Sequence, residues 1–196
     1  NRGKYNVSVK TSVGNLERNR VQVSINITEG KAAKITHLNI VGNNSFKAKK
    51  IREDFQSDTT NWTSWYSKDD QYSREKMSGD LERLTSFYLD RGYVDFAVDS
   101  TQVSMSPDKR KMYVVANIEE GEVYTVSDIK LTGDLILTDE DLRKQLSIKA
   151  GETFSRRKVE QSSDAITSVL SNIGYAFAEV NPIPEIDREK REVSLN

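Results

Sequence analysis

DRGYVDFAVDSTQV, residues 90–103, joins the end of one periodic pattern to the start of another. Upstream of it, Met77, Leu81, Leu84 and Tyr88 recur at spacings of four, three and four. That stripe marks a helix with one buried face. Gly92 follows where a helix ends through a left-handed residue. From Tyr93 onward, Tyr93, Asp95, Ala97 and Asp99 alternate with Val94, Phe96 and Val98, which predicts a strand starting at Tyr93. Tyr93 can lay its ring beside the helix end. NIGYAFAEVNPIPEI, residues 172–186, writes the same junction again with Gly174 and Tyr175. Gly92, Tyr93, Gly174 and Tyr175 are therefore read as structural residues.

Working outward, SPDKRK forms a turn and MYVVANIEEG a returning strand. On the other side, Ser45 is placed to cap a helix running to about Gln56, and Ser73 to open the striped helix. Residues 34–41 read as a strand with a bulge between Leu38 and Val41, where strict alternation slips. The order over residues 32–121 is strand, helix, helix, strand, strand. It recurs over 122–196: Gly42 and Gly133 stand 91 residues apart, as do Glu29-Gly30 and Glu120-Gly121. In the later copy Thr138 and Asp141 form a capping box with the shorter acid, ahead of a helix over roughly 139–147. Residues 1–31 carry only a hairpin, with Tyr5, Val7 and Val9 alternating against Val21, Val23, Ile25 and Ile27. These patterns predict an α+β chain of tandem small domains over 1–31, 32–121 and 122–196. Each complete domain has a three-stranded mixed sheet covered by two helices. The first domain reads as the closing hairpin of a truncated unit and the last strand as clipped at Asn196, so the chain reads as a piece of something longer.

Composition excludes several functions. With 29 basic and 30 acidic residues among 196, the formal charge is −1, far from the concentrated positive field nucleic acid requires. No cysteine is present, so thiol catalysis, disulfides and thiolate metal sites are out. No apolar run approaches the roughly 20 residues of a membrane-spanning helix. No phosphate-binding, zinc-protease or serine-hydrolase motif occurs, so no catalytic residue, cofactor or metal site is assigned. His37 is a lone imidazole inside a strand. The acids Asp139, Glu140 and Asp141 belong to a helix's first turn, where carboxylates favour the exposed amides. Asp69 and Asp70 beside aromatics leave a glycan-acting enzyme open on paper, although adjacent acids in a capping loop do not make the opposed pair that hydrolysis needs. Trp62, Trp65 and Tyr66 either close the end of the helix pair or form an exposed aromatic anchor.

What remains is backbone. A three-stranded sheet covered on one face leaves an edge able to receive another strand. Asp99, Ser100, Thr101, Gln102, Val103, Ser104 and Met105 are polar enough for such an edge, with Val103 and Met105 able to fill shallow pockets. The same polarity also suits an edge that is merely protected.

The Gly-Asn and Gly-Asp turns at Gly42 and Gly133, the DRGY and NIGY helix exits and the Glu-Gly boundaries resemble the POTRA repeats of the BamA family of outer-membrane assembly factors. The likeness runs along essentially the whole chain, including THLNIVGNNSF and YVVANIEEGEVY. It implies the end of a second repeat, a complete third and most of a fourth. It also implies a non-enzymatic periplasmic scaffold on the way to a downstream membrane barrel. A BamB-like lipoprotein would dock on the third repeat's edge at Asp99–Met105, with nearby contacts from Ile35, Leu38 and Ile40, and unfolded outer-membrane clients would pair with such edges. A related translocation or secretion transporter would carry similar repeats. The apolar hairpin face leads to a further expectation, self-association of the chain.

Overall fold

The computed structural model describes residues 7–18, 20–29, 34–57 and 74–196. Strands β1 (Ser8–Leu16) and β2 (Arg20–Thr28) form an antiparallel hairpin with Val9 opposite Ile27 and Val13 opposite Val23. Period-two alternation puts Val9, Val13, Val23, Ile25 and Ile27 on one face. Each is 54–63% exposed, so this face finds no cover among the described residues.

The next module runs β3 (Lys34–Val41), α1 (Ala48–Ser57), α2 (Arg74–Leu89), β4 (Ala97–Met105) and β5 (Lys111–Glu119). β5 lies in the middle of the sheet, parallel to β3 and antiparallel to β4. As the central strand it buries Met112, Val114, Ala116 and Ile118 on one face. At its Ile118 end that face packs with Ile51 of α1 and Leu84, Phe87 and Tyr88 of α2, together with Ile40 and Phe96. Tyr88 stacks on Phe96 at 4.3 Å between ring centroids, and Phe46 meets Phe87, Tyr88 and Tyr93 edge-on. Both geometries suit the ring quadrupoles.

Three sequence expectations change here. The strand after Gly92 begins at Ala97 and not at Tyr93. Val94 donates its amide to Gly92 and Phe96 to Tyr93, forming a turn that drops Phe96 into the core. The bulge in β3 lies between Ile35 and His37, not after Leu38. Val41, whose apolarity suggested the later slip, is an exposed strand end. Ser45 is not a helix cap. Its amide and hydroxyl both donate to the Glu120 carboxylate, at 3.0 and 2.8 Å to Oε2, while α1 starts at Ala48. Tyr88 donates to the same carboxylate at 2.8 Å. Burial first, and then that hydrogen bond, push its phenol far above the usual range. The Glu-Gly boundary is thus a tie between the exit of β5 and both the helix layer and the turn after β3. Ser73 lies outside the described residues.

The following module repeats the order with β6 (Thr125–Ile129), α3 (Asp139–Arg143), α4 (Arg156–Asn172), β7 (Pro184–Asp187) and β8 (Glu192–Leu195). β8 is central, parallel to β6 and antiparallel to β7. Thr138 caps α3: its hydroxyl oxygen accepts from the Asp141 amide and donates to the Asp141 carboxylate. The helix stops at Arg143, short of the expected 147, because Ser162 in α4 takes the Ser147 amide at 2.9 Å and draws the chain out of the helix. Ser155 caps α4.

Candidate functional site

The sheet order β3-β5-β4 makes β4 an edge strand. Ser106 donates its amide to Lys111 at the hairpin end, and β4 residues pair onward from Met105 opposite Met112 to Val103 opposite Val114. Antiparallel ladders alternate bonded and non-bonded pairs. Thr101, Val103 and Met105 therefore turn their amides and carbonyls away from β5, toward the open edge. Ser100, Gln102 and Ser104 spend theirs on β5. Val103 and Met105 are 46% and 41% exposed, which leaves apolar area beside the open backbone groups.

The two ends of the edge are fixed. At one, the pairing shifts between Val98 and Ser100, so Asp99 is the bulged residue. Asn117 holds Ser100 there through a 2.8 Å hydrogen bond. At the other, Ser106 donates to Asp108, whose carboxylate also accepts the Arg110 amide. Those two bonds hold the Asp108 carboxyl below its ordinary range. The result is a run of about six residues held straight between a bulge and a rigid turn.

The edge does not bring all the expected contact residues together. β5 separates β3 from β4, so Ile35, Leu38 and Ile40 stand on the far side of the sheet from Asp99–Met105, roughly 10 Å away at normal strand spacing. The Ile40 side chain is buried in the core, so at the β3 edge it has only its backbone to offer. The side chains of Ile35 and Leu38, and all of Trp62, Trp65, Tyr66, Asp69 and Asp70, lie outside the described residues. Gly42 and Gly92 both adopt positive φ under close backbone contact. At Gly42 a Cβ would come within 2.1 Å of the Ile118 carbonyl oxygen. Gly133 and Gly174 share the positive φ.

A second set of contacts, unannounced by the sequence, couples this module to the next. Gly92 accepts the Tyr124 amide at 2.9 Å, and Tyr93 bridges to Val123. The Tyr124 hydroxyl donates to Asp95 at 2.6 Å, which with burial raises its phenol pKa. Arg188 reaches the other oxygen of Asp95 at 3.2 Å. Asp90 accepts the Arg157 amide at 2.8 Å, so it acts as an acidic cap on the first turn of α4. Arg156 and Glu82 form an ion pair across the same junction. The only local hint of all this was the shortness of EEGEVY between the copies.

A family model for POTRA, described as a surface antigen variable number repeat, matches residues 33–121 and again 124–196. The chain belongs to the POTRA family. POTRA domains are non-catalytic periplasmic portions of outer-membrane assembly factors. In sequence the chain is 30% identical over 198 residues to the outer membrane protein assembly factor BamA of Neisseria meningitidis serogroup B, a match covering 99% of this chain and 24% of that protein. It is 32% identical over 181 residues to BamA of Buchnera aphidicola, covering 92% of this chain and 29% of that one. The chain thus spans about a quarter of the length of these relatives. Among solved structures, BamA POTRA3-5 of Haemophilus influenzae superposes with a TM-score of 0.63 at 23% identity, over 83% of this chain and 64% of that one. BamA of Haemophilus ducreyi lacking POTRA domains 1–3 superposes at 0.60 and 18% identity, over 83% of this chain and 28% of that one. These likenesses establish the shared POTRA fold.

Proposed function

We propose that these POTRA modules act as a scaffold in outer-membrane protein assembly, and that the β4 edge docks an accessory propeller lipoprotein of the BamB type and pairs with extended strands of unfolded barrel clients. The observation that carries the reading is the geometry of β4, with three outward-facing backbone positions at Thr101, Val103 and Met105 held between a bulge and a fixed turn. Strand addition takes its affinity from such main-chain groups and its selectivity from alternate side chains. An edge read this way accepts many sequences, which suits a surface that meets many clients. The tight junction at Gly92, Asp90 and Asp95 supports the scaffold part of the reading, because it holds neighbouring edges at a defined separation.

The test is a binding titration of the chain with its cognate propeller lipoprotein, alongside a Val103→Pro variant. Proline at Val103 removes an outward amide and no bond to β5, so the fold survives, as proline does on edge strands. Loss of one strand-pairing bond and its steric fit should weaken binding roughly tenfold or more, at about 1.4 kcal/mol per tenfold. Unchanged affinity in the folded variant would refute the assignment of this edge.

A further inference from the structure

The module of β6–β8 has an outer antiparallel strand of its own, β7, and the ladders fix which residue of it answers to which residue of β4. In the preceding module Leu38 pairs with Val114, and Val114 with Val103. Ile129, 91 residues beyond Leu38, pairs with Leu195, and Leu195 with Pro184. Pro184 therefore holds the place of Val103 in the middle of the edge. By the period of two, Pro182 holds that of Thr101 and Ile186 that of Met105.

The bonding parity agrees. Ile183 and Asn196 exchange both backbone bonds, at 2.7 and 3.1 Å, so Ile183 faces β8. Alternation along an antiparallel ladder then turns Pro182, Pro184 and Ile186 outward. In β4 each of the three outward positions carries an amide. In β7 two of the three carry none, because the proline nitrogen is closed into its ring, and the ring fills the space an incoming carbonyl would reach into. Pro184 is thus the natural counterpart of Val103→Pro. No other described element covers this edge: the residues from Asn181 to Ile186 are all exposed. The opposite edge of the same sheet is shut by a different device. Gly151 donates its amide to Val126 at 2.7 Å, Val126 donates to Glu152 at 2.8 Å, and Phe154 donates to Tyr124 at 3.0 Å, so residues 151–154 lie along the outer side of β6. A single proline on an edge needs only that its missing donor faced solvent. Two at successive outward places, on a sheet whose other edge is also covered, make a guard against strand pairing.

We infer that Pro182 and Pro184 close β7 to strand addition and are the residues that confine the docking of extended segments to the β4 edge. The inference rests on the proposed role of β4 for what docks, while the block at β7 stands on its own geometry. Its consequence is selectivity between two copies of one fold: an extended segment that meets both sheets pairs with one of them.

The test compares the chain with a variant carrying Pro182→Thr and Pro184→Val, which writes the outward residues of β4 into β7. The probe is an end-blocked peptide of alternating valine and threonine with a lysine at each end, and the readout is amide hydrogen exchange. The Ile186 amide is present and outward in both chains. Its exchange, with that of the amides created at 182 and 184, should slow roughly tenfold in the variant once the peptide exceeds its dissociation constant tenfold. In the parent chain the Ile186 amide should not respond. Slow exchange at Ile183 without peptide shows that β7 of the variant still pairs with β8, and Pro184→Val alone should give a smaller slowing at Ile186. Slowing at Ile186 in the parent chain, or none in the folded double variant, would overturn the inference. Slowing along β7 of the variant with none along β4 of either chain would support the block and overturn the β4 reading instead.

Discussion

Substituting Gly92→Ala probes the junction between modules at a single methyl group. Gly92 has φ +89, and a Cβ there would lie 2.6 Å from Thr153 Cγ2 and 3.0 Å from both the Tyr124 carbonyl oxygen and Val123 Cγ1. The left-handed backbone alone costs an L-residue about 1–2 kcal/mol. Forcing an extra carbon into a packed site costs about 1–3 kcal/mol more. The sum, about 2–5 kcal/mol, should appear in urea denaturation followed by circular dichroism. Gly174→Ala is the matched control, with φ +103 and nothing within 4 Å of its Cβ position. It should lose only the backbone part, about 1–2 kcal/mol. Thr153→Ser removes the methyl in closest contact and should restore about 1 kcal/mol when combined with Gly92→Ala. If the two alanine variants lose the same stability within 0.5 kcal/mol, the close approach of the next module to Gly92 contributes nothing and the coupled junction is refuted.

One further outcome concerns the same junction and another the carboxylates held by local partners. Asp90→Ala removes the acceptor of the Arg157 amide and should cost about 1 kcal/mol, with Asp90→Asn retaining most of it, as helix caps do; thermal melts of the three proteins check this. The carboxyls of Asp108, Asp141, Glu152 and Asp187 are all held below their ordinary values of 3.8 to 4.5, by Ser106, by Lys144 and Thr138, by Lys158, and by the Lys190 amide in turn. A depressed folded value means the stabilisation is complete above the unfolded values and is lost as pH falls through the folded ones. Urea midpoints should therefore hold from pH 7 to 5 and decline below about 4, and Lys158→Met should reduce the Glu152 share of that decline.

Periodic features of this fold were legible because they are local. The stripe Met77, Leu81, Leu84, Tyr88 gave α2, and the 91-residue spacing of Gly42 and Gly133 gave the repeat. Errors arose where a partner distant in sequence overrides the local pattern. Alternation after Gly92 read as strand, but Phe96 turns inward to stack on Tyr88. Ser45 looked like a cap, yet Glu120, 75 residues away, claims it. Asp95 gave no signal as a junction residue, because its partners Tyr124 and Arg188 are 29 and 93 residues distant. The polar run of β4 was visible, while its outward amides followed only from the register with β5. The burial of the Ile40 side chain was not legible, because alternation separates two faces without saying which of them the helices cover.

The most direct test of strand docking on β4 is amide hydrogen exchange in the presence of saturating cognate lipoprotein. The account predicts slowed exchange at Thr101, Val103 and Met105, the amides turned away from β5, with little change along β3. Protection confined to β3, or none along β4 in a complex that forms, would contradict it.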